Sequence, residues 1–312
     1  MSLVLGIDTS NYTTSFSLAR DGEIICNLKE PVFVGDGQRG VRQSDAVFSH
    51  VKNIPTLSKK LRSYIGDGDK IDAVSVSVSP RDQEGSYMPC FLSGIAAANS
   101  ISGVTGVPIY EFSHQRGHIY AALYSSGATE LYGKKFIAFH VSGGTTEVLL
   151  VNGKEISIIG GTRDLTAGQL IDRGGVYMGL SFPCGAKIEE LAKNGKTPKV
   201  KLSVSGCFCN MSGAENKVKK MMEEDASKED ISAYIIEFVR ANLDKITNNV
   251  IEEYGKLPLV FSGGVMSCKA IKDHFEKKYG AYFASPEFSS DNAAGIALLG
   301  ELELKKDSVA NE

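Results

Sequence analysis

The sequence predicts an α/β protein built from two related halves, and three observations support this. Apolar, β-branched segments alternate along the chain with segments of helical period. A strand, small-residue turn, strand plan occurs twice, as "LVLGIDTSNYTTSFSLARDG" and "FIAFHVSGGTTEVLLVNG", the second copy beginning near the middle of the chain. The 312 residues are also enough for two hydrophobic cores.

In chain order, the expected strands are 3–8, 14–19, 72–79, 136–142, 146–151 and 257–264. Each is β-branched, alternating or continuously apolar, and each is bounded by Gly, Asn, Asp or Ser. The clearest helix follows Ser227, whose hydroxyl can cap it, with Glu229 and Asp230 in its first turn and Gly255 at its end. Ile231, Ile235, Phe238, Asn242, Ile246 and Val250 advance by three or four, so all of these except Asn242 are expected to form a buried apolar stripe. Small residues in the turns at 9–13, 142–146 and 261–267 would let backbone N–H groups approach a phosphate.

Composition narrows the function classes. A hydrophobic share of 42% with 23% charged residues is that of an ordinary soluble protein, and the net charge of −3 gives no general nucleic-acid or membrane footprint. No apolar run is long enough to span a bilayer, and "MSLVLGIDTS" lacks a basic leader, so a cytoplasmic location is expected. The six cysteines do not form a disulfide framework or a zinc pattern. Cys207 and Cys209 are expected to be buried thiols. Residues 187–220 hold eight lysines against three glutamates, which fits either a solvated face or a strip for a polyanion.

In "SHQRGHIYAAL", His114 and His118 are four apart, which on a helix puts both on one side about 6 Å apart. The spacing suits two ligands of one metal ion, and equally a pair of ordinary polar side chains.

Seven segments, in order, add a family likeness: "LGIDTS", "HQRGH", "VSGGTTEV", "AGQLIDR", "SFPCG", "SGGV" and "SDNAAGIA". Together they resemble the TsaD/Gcp family, within the superfamily of actin, heat-shock ATPases and sugar kinases. The resemblance implies two ribonuclease-H-like domains facing a cleft, with 1–112 and 292–312 as the first actin-like domain and 113–291 as the second. It implies transfer of a threonylcarbamoyl group from its adenylate to N6 of the adenosine 3′ of the anticodon in tRNA; "glycoprotease" is an older label of the same family. It also implies tRNA, a smaller paralogue and an ATPase as partners.

Carried over residue by residue, the resemblance implies that His114, His118 and Asp291 hold one divalent metal ion, iron or zinc. It implies that an adenine nucleotide or threonylcarbamoyl-adenylate meets His140, Val141, Ser142, Gly143 and Gly144. The same ligand is expected at Asp172, on its ribose hydroxyls, and at Gly185, Gly263, Gly264 and Cys268. No catalytic base is assigned.

The departures from the family pattern are specific. Asn11, Tyr12 and Thr13 replace a Cys-Asp-Glu run, Thr145 replaces a histidine, Cys268 an asparagine and Leu165 an aspartate, while "SPRDQEGSYMPCFL" lacks a Gly-Leu step. A second reading is therefore a divergent paralogue that binds metal and nucleotide without the chemistry. A metalloprotease is a third, weakened because Gln115, Arg116 and Gly117 leave no glutamate between the histidines to act as a base.

Overall fold

The computed structural model describes residues 2–33, 41–196 and 199–310. They form two compact units, Met1–Tyr124 with Ser290–Glu312, and Ser125–Ser289. Both histidines of "HQRGH" and Asp291 therefore lie in the first unit, whereas a division at 112/113 and 291/292 would put them in the second.

The first unit opens with an antiparallel meander, β1 (Leu3–Asp8), β2 (Thr13–Arg20) and β3 (Glu23–Pro31), followed by helix α1 (Gln43–Arg62). Strand β4 (Ala73–Ser79), helix α2 (Phe91–Thr105), strand β5 (Ile109–Ser113) and helix α3 (His114–Ser125) complete its first segment. The sheet order is β3-β2-β1-β4-β5, with β4 parallel to both β1 and β5. All six residues of β1 are buried, as expected of a central strand covered on both faces.

The second unit repeats the plan. An antiparallel meander, β6 (Lys135–Val141), β7 (Thr146–Asn152) and β8 (Glu155–Thr162), leads to helices α4 (Ala167–Tyr177) and α5 (Gly185–Ala192). A short hairpin, β9 (Val204–Ser205) and β10 (Phe208–Cys209), precedes helices α6 (Ser212–Glu223) and α7 (Lys228–Tyr254). Strand β11 (Leu259–Ser262), helix α8 (Lys269–Tyr279), strand β12 (Tyr282–Phe283) and helix α9 (Pro286–Ser289) follow. Its sheet order is β12-β11-β6-β7-β8-β10-β9, so β8-β7-β6-β11-β12 matches the first sheet strand for strand. Helix α10 (Ala294–Ala310) then packs on β1 and β4 of the first unit.

Helix α7 has the expected ends. Ser227 accepts a hydrogen bond from the Asp230 N–H, and Gly255 closes the helix at a positive φ. Asn242 corrects the expected stripe, because it is as buried as its apolar neighbours. Its side chain is satisfied there, accepting from the Ser203 N–H and donating to the Phe238 carbonyl. Cys207 and Cys209 are buried free thiols.

The lysine-rich segment is not uniformly cationic. Lys187 pairs with Glu190, Lys219 with Glu215, and Lys220 with Glu224. No described helix is long and apolar enough to cross a membrane.

Candidate functional site

In the first unit the candidate centre forms where β1, α3 and α10 meet. These elements approach closely because glycines stand at the crossings. A Cβ on Gly295 of α10 would collide with the Gly117 carbonyl of α3, and one on Gly6 of β1 would lie 2.6 Å from Ala293 O and Ala297 N. Gly117 directly precedes His118, so the approach that needs it also brings Asp291, just ahead of α10, onto the histidines' face of α3.

The result is three donor atoms in one place. Asp291 Oδ1 lies 3.3 Å from His118 Nε2 and 3.5 Å from His114 Nε2, and all three ligand atoms lie within 4.8 Å of one another. Ligand atoms about 2.0–2.2 Å from a common ion are about 3–3.6 Å apart in tetrahedral or octahedral geometry, so this group fits a divalent ion. Two imidazoles and a carboxylate on one side leave positions for substrate oxygens.

The electrostatics suit a cation. Burial works against a charge on His114, yet Asp8 and Asp291 outweigh it and raise the imidazole to about 10. Burial and the nearby His114 charge push His118 down. Asp291 is held well below the usual carboxylate range, because hydrogen bonds from the two histidines overcome its burial.

Sequence reasoning missed three neighbours of this centre. Asp8, at the end of β1, is fully buried with its Oδ2 2.7 Å from His114 Nδ1. Gln43 donates to Asn11 Oδ1 and accepts from the Cys90 N–H, tying the first turn to the starts of α1 and α2. His50 of α1, also fully buried, is 2.8 Å through Nδ1 from Thr14 Oγ1. The sequence signals for Asp8 were an acid closing an apolar strand and its place in the segment "LGIDTS", neither of which assigned it a role.

In the second unit the expected nucleotide residues form a connected ring. Residues 142–145 make the β6–β7 turn, in which the Ser142 N–H donates to the Thr145 carbonyl and the Thr145 N–H donates to Ser142 Oγ. Thr166, which caps α4, donates to the Gly143 carbonyl. Asp172 of α4 accepts from the Cys184 N–H at the start of α5, and burial raises its carboxyl. Gly185 opens α5, and Glu189, one turn further, accepts from the Lys269 N–H beside Cys268. Gly263, at φ 97°, lies against the Val141 backbone, where any Cβ would collide, and this closes the ring at the end of β11.

Within the ring the residues differ in what they can offer. Val141 is fully buried, so only its backbone faces the turn, and burial pushes the Cys268 thiol up to about 11. His140 is partly exposed at the end of β6. Gly143, Gly144, Gly185 and Gly264 have open space where a side chain would be. A cavity of about 320 Å³ lies beside the ring, lined among others by Glu189, Lys193, Glu237, Arg240 and Lys269. Thr166 and Glu189 were members that sequence reasoning missed.

Residues 34–298 match the family profile described as TsaD, tRNA N6-adenosine threonylcarbamoyltransferase. The chain belongs to the TsaD family. It is 30% identical to the tRNA N6-adenosine threonylcarbamoyltransferase of Thermosipho africanus, over 97% of this chain and 95% of that protein. Among solved structures it is similar to component A of the (R)-2-hydroxyglutaryl-CoA dehydratase of Acidaminococcus fermentans. There the TM-score is 0.58 at 17% identity, covering 98% of this chain and all of that one. Full-length HypF matches at a TM-score of 0.61 and 13% identity, over 96% of this chain and 55% of that one. Likenesses at such identities concern the fold, and they agree with the actin-like, ribonuclease-H-like plan of each unit. In the structure His114, His118 and Asp291 lie together, while the first turn presents Asn11, Tyr12 and Thr13.

Proposed function

We propose that this chain transfers a threonylcarbamoyl group from its adenylate to N6 of an adenosine in tRNA, the one 3′ of the anticodon. The convergence of His114, His118 and Asp291 in a TsaD-family chain carries this reading. These three residues would hold one iron or zinc ion, which would polarise the carbamoyl carbonyl and help to anchor the threonine carboxylate.

The chain's other residues bind and orient. Backbone N–H groups of Gly143 and Gly144 would meet the phosphate, Asp172 the ribose hydroxyls, and the adjoining cavity the base. The amine nitrogen then bonds to the carbamoyl carbon, the bond from that carbon to the phosphate oxygen breaks, AMP leaves, and the amine loses a proton. At the first turn no carboxylate stands ready for that proton. Losing a general base costs about 10²–10⁴-fold in rate, so slow turnover is expected. The same observation favours the second reading, a metal- and nucleotide-binding paralogue without the transfer. A smaller paralogue and an ATPase are the expected protein partners, and unpaired members of the 187–220 lysines would meet tRNA with a steep salt dependence.

One experiment separates the two readings. The protein is given threonylcarbamoyl-adenylate, unmodified tRNA and the partner proteins, and the digested nucleosides are weighed by mass spectrometry. Modified adenosine supports transfer, whereas bound adenylate with no modified nucleoside supports the binding protein.

A further inference from the structure

The Asp8 carboxylate is fully buried at the end of an apolar strand, where a charge is stable only with partners. It has one on each oxygen: the Ser10 N–H donates to Oδ1 at 2.8 Å, and His114 Nδ1 lies 2.7 Å from Oδ2. A backbone N–H can only donate, so the Ser10 bond fixes which way the carboxylate faces. An ionised carboxylate can only accept, so Nδ1 of His114 must carry a proton. That leaves the lone pair of a neutral His114 on Nε2, the atom 3.5 Å from Asp291 Oδ1.

We propose that Asp8 is a positioning residue: it fixes His114 in the Nδ1–H form and thereby sets the affinity of the three-residue centre for a divalent ion. This rests on the reading of His114, His118 and Asp291 as a metal centre. A partner that fixes the tautomer of a ligand histidine is worth about 10–100-fold in metal affinity.

The variant that isolates the effect is Asp8→Asn. Its amide oxygen can keep the Ser10 N–H, but its NH2 group then faces His114 Nδ1 and sets donor against donor. The imidazole is relieved by moving its proton to Nε2, away from Asp8 and onto the atom that would bind metal. Zn2+ titration by calorimetry should show Asp8→Asn weakened about 10–100-fold and His114→Ala weakened at least as much. Asp8→Asn should add little when combined with His114→Ala. Wild-type affinity in Asp8→Asn with a weakened His114→Ala overturns the role of Asp8 alone, whereas wild-type affinity in both overturns the metal reading itself.

A second measurement needs no variant. In the Zn2+-loaded wild-type protein, long-range 1H–15N spectra should show His114 metal-bound at Nε2 and protonated at Nδ1. Ligation through Nδ1 would overturn the proposal even if Asp8→Asn failed to fold.

Discussion

The two β-hairpin turns share one plan and are filled in opposite ways. In the first, between β1 and β2, the side chains are committed to the surrounding structure. Thr9 donates to the Cys90 carbonyl and accepts from the Gly94 N–H, Asn11 accepts from Gln43, and Thr14 meets His50. In the second, between β6 and β7, the turn bonds mainly to itself and to the cap of α4, and Gly143 and Gly144 leave open space. A duplicated fold unit can thus place rigid polar contacts around a metal-type centre in one copy and leave room for a ligand in the other.

That contrast can be broken most severely at the metal centre. His114→Ala/His118→Ala should reduce bound metal to background, measured by elemental analysis of the purified protein, while adenine-nucleotide affinity stays within about twofold. Asp291→Ala should lower metal content more than His140→Ala or His50→Ala. Equal metal content in the wild type and the double variant would remove the centre.

The second turn offers the next effect. Gly143 has no positive φ and nothing near its missing Cβ, so Gly143→Val should fold normally and yet obstruct a phosphate. Adenine-nucleotide affinity should fall by about 10–100-fold in calorimetry, about 1.4–2.8 kcal/mol. Unchanged affinity would put the nucleotide elsewhere. Asp172→Ala should cost less, about tenfold, the scale of one charge-assisted hydrogen bond, with a modest loss of stability because the Cys184 N–H loses its acceptor.

A further effect belongs to His50 of α1, which meets Thr14 just past the first turn, and appears in stability against pH. Burial lowers His50 to about 4 from an ordinary 6.5, although the Asp8 charge and the Ser10 carbonyl oppose it. The unfolded chain therefore binds the extra proton first. The stability that His50 contributes is complete above pH 6.5, is lost as pH falls from there toward 4, and levels off below. Denaturant melts should show a loss on the order of 2 kcal/mol across that window, and a His50→Gln variant should flatten it. A wild-type slope no steeper than that of the variant would contradict the assignment.

How much was readable from the sequence follows the same contrast. Both hairpins and α7 were evident because strand alternation, small-residue turns and helix caps are local signals. The metal-type residues were evident from the family segments that contain them. The roles of Asp8, though it lies in "LGIDTS", and of His50 were not, because each takes its role from a partner far along the chain: His114 for Asp8, and Thr14 for His50. Asn242 was misjudged for a related reason, since a buried amide is tolerable only once Ser203 and Phe238 are known to meet it. Short β12 and the β9–β10 hairpin carry too few residues to show a period.

The missing acids of the first turn bear on rate. Tyr12→Asp/Thr13→Glu should raise transfer above the wild-type value, since Tyr12 is about half exposed and both substitutions lie in the turn. The most direct measurement is single-turnover transfer to tRNA by the metal-loaded wild type beside His114→Ala/His118→Ala, with threonylcarbamoyladenosine counted by mass spectrometry. The expected result is slow product formation by the wild type and none above the protein-free level in the double variant, which still binds adenine nucleotide. Equal product in both, or none from a wild type that binds metal, adenylate and tRNA, would contradict it.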